Sequence, residues 1–309
     1  MTNVALGQLR EPAADGRRVQ SAGFIAALEA RAERSAAASA FYEFMRFSIL
    51  QAWACLFGGA MVALLIATAW FYPKGACLAR YDFLTLAAIA LQVAMLRWKL
   101  ETWDEAKVIA LFHIVGTAME IYKTAVGSWI YPEPSLLHIG GVPLFSGFMY
   151  ASVGSYITRV WRVCDFRFTG HPPLWQVYLL AAGIYLNFFT LRSIGDMRVV
   201  LFIAAALIFR RSWIHFRVWR AHRKMPLVTA CFCNAFFLWL AENIGTLTRT
   251  WTYPSQSVAW SMVGFGKLGS WYLLLIISYA MVTLVNRPIP YAPASRRCKT
   301  SMALQPAKI

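Results

Sequence analysis

The sequence predicts an all-α, polytopic membrane protein with eight transmembrane helices, arranged as a tandem duplication of a four-helix unit with both termini in the cytoplasm. Three observations support this fold class. Of the 309 residues, 59% are hydrophobic and only 14% are charged, against about 25% charged in a typical soluble domain. Eight apolar stretches follow one another, and one phrase of residues recurs further along the chain.

The composition also limits the class of partner. The formal net charge is +16, and a strongly basic chain is often a nucleic-acid-binding protein. A soluble protein, however, needs more polar residues to cover its surface, and a disordered one has far fewer apolar residues. We therefore expect membrane lipids as partners and no nucleic acid.

The apolar stretches predict the spans and the division of the chain. A helix needs about 20 residues to cross a bilayer, and the second and sixth stretches are shorter than the rest. The predicted organisation is a cytoplasmic amphipathic segment (1–48), a first four-helix repeat (49–170), a second repeat (171–287) and a disordered cytoplasmic tail (288–309). The stretches cover residues 49–72, 83–98, 107–130, 139–161, 173–191, 197–213, 226–250 and 260–285.

The basic residues predict the orientation. The two tails and the loops on the same predicted side hold 23 Lys and Arg residues, and the alternate loops hold five. Basic loops remain cytoplasmic, so both termini are predicted inside, where they attract anionic lipid. Residues 24–47 predict an amphipathic helix on the inner leaflet, with a solvated Ala-rich helix as the alternative.

The recurring phrase has the pattern E-x3-T-x4-W-x-Y-P. It begins at Glu120 and again at Glu242, 122 residues later, and the same offset pairs Gly147 with Gly269 and Tyr150 with Tyr272. Four spans per unit predict repeats of parallel topology, related by an axis along the membrane normal. A site built from both units would lie near that axis.

The aromatic residues of the phrase follow the ends of the third and seventh spans. Two Trp–Tyr pairs are predicted at the outer interface, where Trp and Tyr are enriched, and a proline follows each pair. The pairs are Trp129 with Tyr131 and Trp251 with Tyr253. The simpler interpretation is an aromatic belt with a helix stop. The repetition of the whole phrase, including its Glu, favours a functional site.

Both glutamates are predicted deep in the membrane. Nine residues at about 1.5 Å each place Glu120 and Glu242 roughly 13 Å below the interfacial Trp residues. A carboxylate there costs about 2.5–3.5 kcal/mol on insertion scales. Lys123 lies one turn from Glu120, where the two can pair, and Lys267 of the last span is a candidate partner for Glu242. Structural ion pairs between the two units are the alternative interpretation.

The remaining candidate residues are polar side chains within the spans. Each alone is typical of an interhelical hydrogen bond. The chain has no phosphate-binding loop, and its His and Cys residues are scattered, so no metal or cofactor is predicted. The polar candidates are Asn187, Asn243, Thr124 and Thr246, together with His113 and Ser146.

Several long phrases resemble a bacterial family of integral membrane proteins, number 817 in the series of domains of unknown function. They are FHIVGTAMEIYKTAVGSWIYPEP (112–134), GVPLFSGFMYASVGSYI (141–157), IYLNFFTLRSIGDMR (184–198) and LAENIGTLTRTWTYPSQ (240–256). The resemblance covers roughly residues 40–287. It implies a multi-pass protein of the bacterial inner membrane and brings no assigned activity.

A weaker resemblance concerns the repeated phrase alone. Membrane carotenoid hydratases carry a pattern similar to E-x-x-G-x-x-T-G followed by aromatics, and lycopene cyclases of the heterodimeric type are broadly similar in having small helical repeats with intramembrane Glu. Glu120 and Gly127 match in the first unit, and Glu242, Gly245 and Thr248 in the second, whereas Lys123 and Arg249 depart from the pattern.

Three functions fit these patterns. The first is a membrane-embedded enzyme that protonates an isoprenoid-like lipid, with Glu120 or Glu242 as the acid and the aromatics flanking a carbocation. The second is a transporter or permease in which the buried charges bind a proton or a small solute. The third is a scaffold without chemistry of its own, and the sequence leaves the oligomeric state open.

Overall fold

A computed structural model describes residues 26–73, 75–190 and 195–292, and 66% of these described residues are helical. Most of the helices follow the apolar stretches, and none of the nine helices given below contains a proline, the residue that most disfavours a helix interior. They are α1 (Ala36–Ala54), α2 (Leu56–Phe71), α3 (Arg80–Arg97), α4 (Trp103–Ala125), α5 (Phe145–Val163), α6 (Leu174–Thr190), α7 (Arg198–Phe209), α8 (Leu227–Leu247) and α9 (Gly266–Thr283).

The chain divides into two compact units, Met1–Ile49 and Leu50–Ile309. In the first, residues 26–32 are helical, and Arg46 forms an ion pair with Glu29 at 3.1 Å. Phe41 and Phe44 are exposed on α1, as expected for the apolar face of an amphipathic helix. Phe24 of that predicted face lies outside the described residues.

Three helices, α4, α8 and α9, are long and apolar enough to cross a membrane by length and composition. A fourth candidate is the pair α1 and α2, which is bent by 69° at Cys55. The predicted first span, 49–72, is therefore not one helix. By this criterion the described residues give three or four candidate spans, and the number eight stays a prediction.

Other predicted spans also differ from the helices. The stretch 139–161 begins with a small β-hairpin of β1 (His138–Ile139) and β2 (Val142–Pro143) before α5 starts. The stretch 197–213 contains only the 12 residues of α7. Arg210 and Arg211 follow directly, and two adjacent charges do not continue an apolar helix into a bilayer.

A three-stranded antiparallel sheet departs from the all-α prediction. It consists of β3 (Arg167–Thr169), β4 (Trp213–Arg217) and β5 (His222–Pro226), in that order. The backbone of Phe168 in β3 accepts a hydrogen bond from Tyr291 and donates one to Ile289. Residues 289 and 291, which the sequence assigned to a disordered tail, are thus hydrogen-bonded to β3, and residues 293–309 lie outside the described part.

The closest helix packing joins α4 and α5 through glycines. A Cβ atom on Gly116 would lie 2.5 Å from the ring of Tyr150, and one on Gly154 would lie 2.8 Å from Phe112. Small residues let two helix backbones approach when lipid surrounds them. Elsewhere large apolar side chains point outward, for example Leu179 on α6 and Phe237 on α8, each 66% exposed. Surfaces of this kind suit a lipid environment rather than water.

One buried ion pair was not predicted. The sequence pattern assigns Arg159 to a cytoplasmic loop, but its side chain is 0% exposed and pairs at 3.0 Å with Glu101, which is 1% exposed. Ser155 and Gln92 also donate hydrogen bonds to Glu101. Breaking a buried pair leaves an uncompensated charge, which is more costly than losing a surface pair.

We therefore predict that Glu101→Gln destabilises the protein by about 3–5 kcal/mol, because it leaves the Arg159 guanidinium buried without a counter-charge. The matched control is Asp104→Asn, which removes the exposed pair with Lys107 and should cost less than about 1 kcal/mol. Thermal unfolding of the two purified variants in detergent measures the difference. Equal unfolding temperatures would contradict a role for this pair in stability.

Candidate functional site

The site is built where α4 and α8 end. Each helix closes with a residue in the left-handed region, Gly127 with φ 72° and Arg249 with φ 50°. The next amide reaches back to the helix, from Ser128 to Lys123 at 2.9 Å and from Thr250 to Gly245 at 3.0 Å. This is the geometry of a Schellman-type helix end. It turns the chain back over the last helical turns, so that residues after each helix contact residues within it.

In the first copy of the phrase the turn brings two donors onto Glu120, which is 4% exposed. Trp129 Nε1 and Tyr131 OH donate to Oε2 at 2.8 and 2.7 Å. A third donor comes from α5, where Tyr150 OH donates to Oε1 at 2.6 Å. Three donors satisfy this buried carboxylate well.

The second copy of the phrase repeats two of these bonds around Glu242. Trp251 Nε1 donates to Glu242 Oε1 at 3.1 Å, and Tyr253 OH donates to the same oxygen. Glu242 is 6% exposed. The spacing of nine and eleven residues between Glu, Trp and Tyr in the repeated phrase thus corresponds to two matching hydrogen-bonded units, which we call the first and second Glu–Trp–Tyr units.

The two Glu–Trp–Tyr units meet through their backbones. Ile130 and Thr252, which occupy the same position of the phrase, form an antiparallel bridge with both N–H···O distances at 3.0 Å. Such a reciprocal pair relates the two segments by a local two-fold rotation. It places the two Glu–Trp–Tyr units side by side.

Lys267 lies between the two Glu–Trp–Tyr units. Its Nζ is 4.5 Å from the ring centroids of both Trp129 and Tyr253, which meet edge to face at 5.9 Å. It interacts electrostatically with Glu242 and Glu120, but within the described chain it forms no direct ion pair with either carboxylate. The ammonium is held by one aromatic ring from each unit.

Lys123 is buried but is not placed on Glu120. Its Nζ lies 5.9 Å from the ring centroid of Tyr122 and 5.7 Å from that of Phe188. The hydroxyl of Thr124 is buried with no hydrogen-bond partner among the described residues, as is that of Ser146. The structure therefore does not join these predicted residues to the carboxylates.

The other polar candidates mainly hold backbone segments. Asn187 accepts a hydrogen bond from the Met197 amide at 3.2 Å, and Asn243 accepts one from the Val263 amide at 2.8 Å. Thr246 accepts a bond from Trp260 Nε1 at 3.1 Å. These contacts hold loop residues against the helices and do not join one helix to another.

An arginine clamp beside the site was missed by sequence reasoning. Arg80, assigned to an outer loop, is buried at the start of α3; it pairs with Glu133 at 2.6 Å and donates to Thr250 Oγ1 at 3.0 Å. Tyr81 OH donates to the Thr250 carbonyl at 2.8 Å. The available signal was Glu133 directly after the first phrase, an acidic residue opposite a lone basic one.

Comparisons with known proteins place the chain in one family. Residues 43–279 match a family described as "Protein of unknown function (DUF817)". The chain belongs to this family. It is also 40% identical over 264 residues to the uncharacterized protein YoaT of Bacillus subtilis (strain 168), covering 85% of this chain and 99% of that protein. No solved structure matches the chain.

The site of this family member is suited to acid–base and cation chemistry. It joins two buried carboxylates, five aromatic donors and one ammonium group. Within the described residues, no group of three or more His, Cys, Asp or Glu side chains is placed to hold a metal ion. The arrangement provides two carboxylates near a position that is bordered by the rings of Trp129 and Tyr253.

Gly245 gives a direct test of the second unit. A Cβ atom there would lie 2.0 Å from Trp251, so Gly245→Ala must displace the indole and its bond to Glu242. We predict a loss of stability of about 1–3 kcal/mol and a changed Trp emission spectrum. The control Gly59→Ala meets nothing within 4 Å and should stabilise α2 by about 0.5–1 kcal/mol. Indistinguishable melting curves for the two variants would refute the close packing of Trp251.

Proposed function

We propose that this chain is a multi-pass transporter of the bacterial inner membrane in which Glu120 and Glu242 form a binding site for a proton or a small cation. The observation that carries the proposal is the position of Lys267. Its ammonium group lies between Trp129 and Tyr253, within the field of both carboxylates. The protein's own side chain thus occupies a receptor for a cation.

The chemistry of the site supports a cation rather than a neutral ligand. Aromatic faces attract ammonium groups by about 0.5–2 kcal/mol, with the larger values where water is excluded. Buried ionisable groups within membrane helices commonly mark an ion or proton path. A site with two acids and a tethered base can exchange a proton or cation while its net charge stays small.

We further propose a tandem duplication with eight spans and a central axis. In support, α4 ends at Ala125 and α8 at Leu247, 122 residues apart, which is the offset of the phrase. The starts of α5 and α9 differ by nearly the same number, 121. Of the eight helices proposed to span, α7 is about 18 Å long, so it crosses only where the bilayer is locally thinned.

The proposed topology places the segment between α2 and α3 outside and the β4–β5 hairpin inside. We predict that a membrane-impermeant maleimide labels the exposed Cys77 in intact spheroplasts. In a Cys77→Ser, Cys298→Ser background, Ala221→Cys should be labelled only after permeabilisation. Labelling of Ala221→Cys in intact spheroplasts would contradict cytoplasmic termini, and the background protein without the new cysteine serves as the control.

An enzyme acting on an isoprenoid-like lipid is the second candidate. A narrow apolar pocket favours it, because the pocket is lined by Tyr150, whose hydroxyl donates to Glu120, and by residues of α4, α6 and α9. Two features weigh against it. The three donors to Glu120 would stand between its carboxylate and a substrate. Lys267 also occupies the position beside Trp129 and Tyr253 that a carbocation would need.

The transport proposal predicts that the purified protein in liposomes carries protons down an imposed pH gradient, or methylammonium down its own concentration gradient. The variant Glu120→Gln with Glu242→Gln should lower the rate at least about tenfold, because it removes both carboxylates of the site. Asp104→Asn, an exposed carboxylate on α4, is the control. The rate is followed with a pH-sensitive dye enclosed in the liposomes.

Two outcomes would decide against transport. Wild-type protein that moves neither ion faster than empty liposomes refutes the proposal. A lipid profile of cells that changes on gene deletion, and changes in the same way in the double Gln variant, favours the enzyme instead.

A further inference from the structure

We infer that the two Glu–Trp–Tyr units have diverged in role, so that Glu242 exchanges the proton beside Lys267 while Glu120 is a fixed anchor. This inference rests on the proposed function and names the group within that site which does the binding. It is carried by three differences between otherwise matching units.

The first difference is the number of donors. Both oxygens of Glu120 accept hydrogen bonds, two on Oε2 and one on Oε1. On Glu242 both bonds go to Oε1, and within the described chain Oε2 has no donor. A proton can therefore bind Glu242 at Oε2 while Trp251 and Tyr253 keep their bonds to Oε1. Protonation of Glu120 weakens three charge-assisted bonds.

The second difference explains the missing donor. Tyr150, the third donor to Glu120, corresponds to Tyr272 at the offset of 122. The ring of Tyr272 packs against Phe202 at 5.8 Å between centroids, and its hydroxyl is not among the donors to Glu242. The second unit keeps the tyrosine in sequence but directs it away from the carboxylate.

The third difference is charge. Lys267 corresponds to Phe145 of the first unit, which is buried against Tyr81 at 5.2 Å and Tyr131 at 6.1 Å. The first unit is closed by an apolar ring where the second has an ammonium on a flexible stem. Lys267 stabilises the Glu242 carboxylate, and it can retract when Glu242 accepts a proton.

The charged and titratable groups facing Glu242 come from four elements, and one further group faces Lys267. They are Glu120 on α4, Tyr150 on α5, Tyr253 after α8, Lys267 on α9 and, facing Lys267, Arg198 at the start of α7. Only Lys267 among them combines positive charge with direct contact to rings of both units. The step itself is simple: Oε2 of the Glu242 carboxylate takes one proton and becomes a neutral carboxylic acid, and the reverse step releases it.

The experiment is infrared difference spectroscopy of the full-length protein in lipid across a pH titration, which detects the carbonyl band of a protonated carboxyl. Glu242→Asp should shift this band and Glu242→Gln should abolish it. Glu120→Asp should leave the band in place while lowering the unfolding temperature.

The inference is overturned if the band shifts in Glu120→Asp, if it persists in Glu242→Gln, or if the wild-type protein has no titrating carboxyl band. The aspartate variants keep the charge and are expected to fold where a Gln variant does not. Because the spectra do not depend on ion flux, failed transport with a titrating Glu242 rejects the proposed function and not this assignment of roles.

Discussion

The structure depends on one constraint, the need to satisfy two buried carboxylates. Glu120 and Glu242 are almost completely buried, and each is held by an indole N–H and a phenol O–H supplied by its own chain nine and eleven residues later. For those groups to return, the helix must end abruptly. This explains the left-handed residues at 127 and 249 and the reciprocal bridge that joins the two segments.

The same constraint accounts for the small residues around the site. Gly245 leaves room for the ring of Trp251 against α8. The corresponding residue of the first copy is Lys123, whose ammonium lies near the rings of Tyr122 and Phe188, and Trp129 lies beside Lys267. One sequence phrase thus has two different surroundings.

The sequence was most informative where polarity alone decides. The apolar stretches predict where helices lie, and the spacing within the repeated phrase predicts that Glu, Trp and Tyr act together. Pairing of charges was less predictable. The sequence allowed Lys123 to pair with Glu120 because the two lie one turn apart, and in the structure its ammonium also lies near the rings of Tyr122 and Phe188. Helical spacing brings two residues to one face, but it does not say which neighbouring helix offers better contacts.

What the sequence by itself determined is therefore the helical class, the repeated phrase and its two buried glutamates. The physical reason is that apolar content and residue spacing are local properties. Only the tertiary structure decided that Arg159 and Arg80 are buried with Glu101 and Glu133, that residues after α7 form a sheet, and that Lys267 lies between two aromatic rings. Each of these includes at least one partner more than 40 residues away along the chain, and such contacts follow from how helices pack rather than from any pattern within one helix.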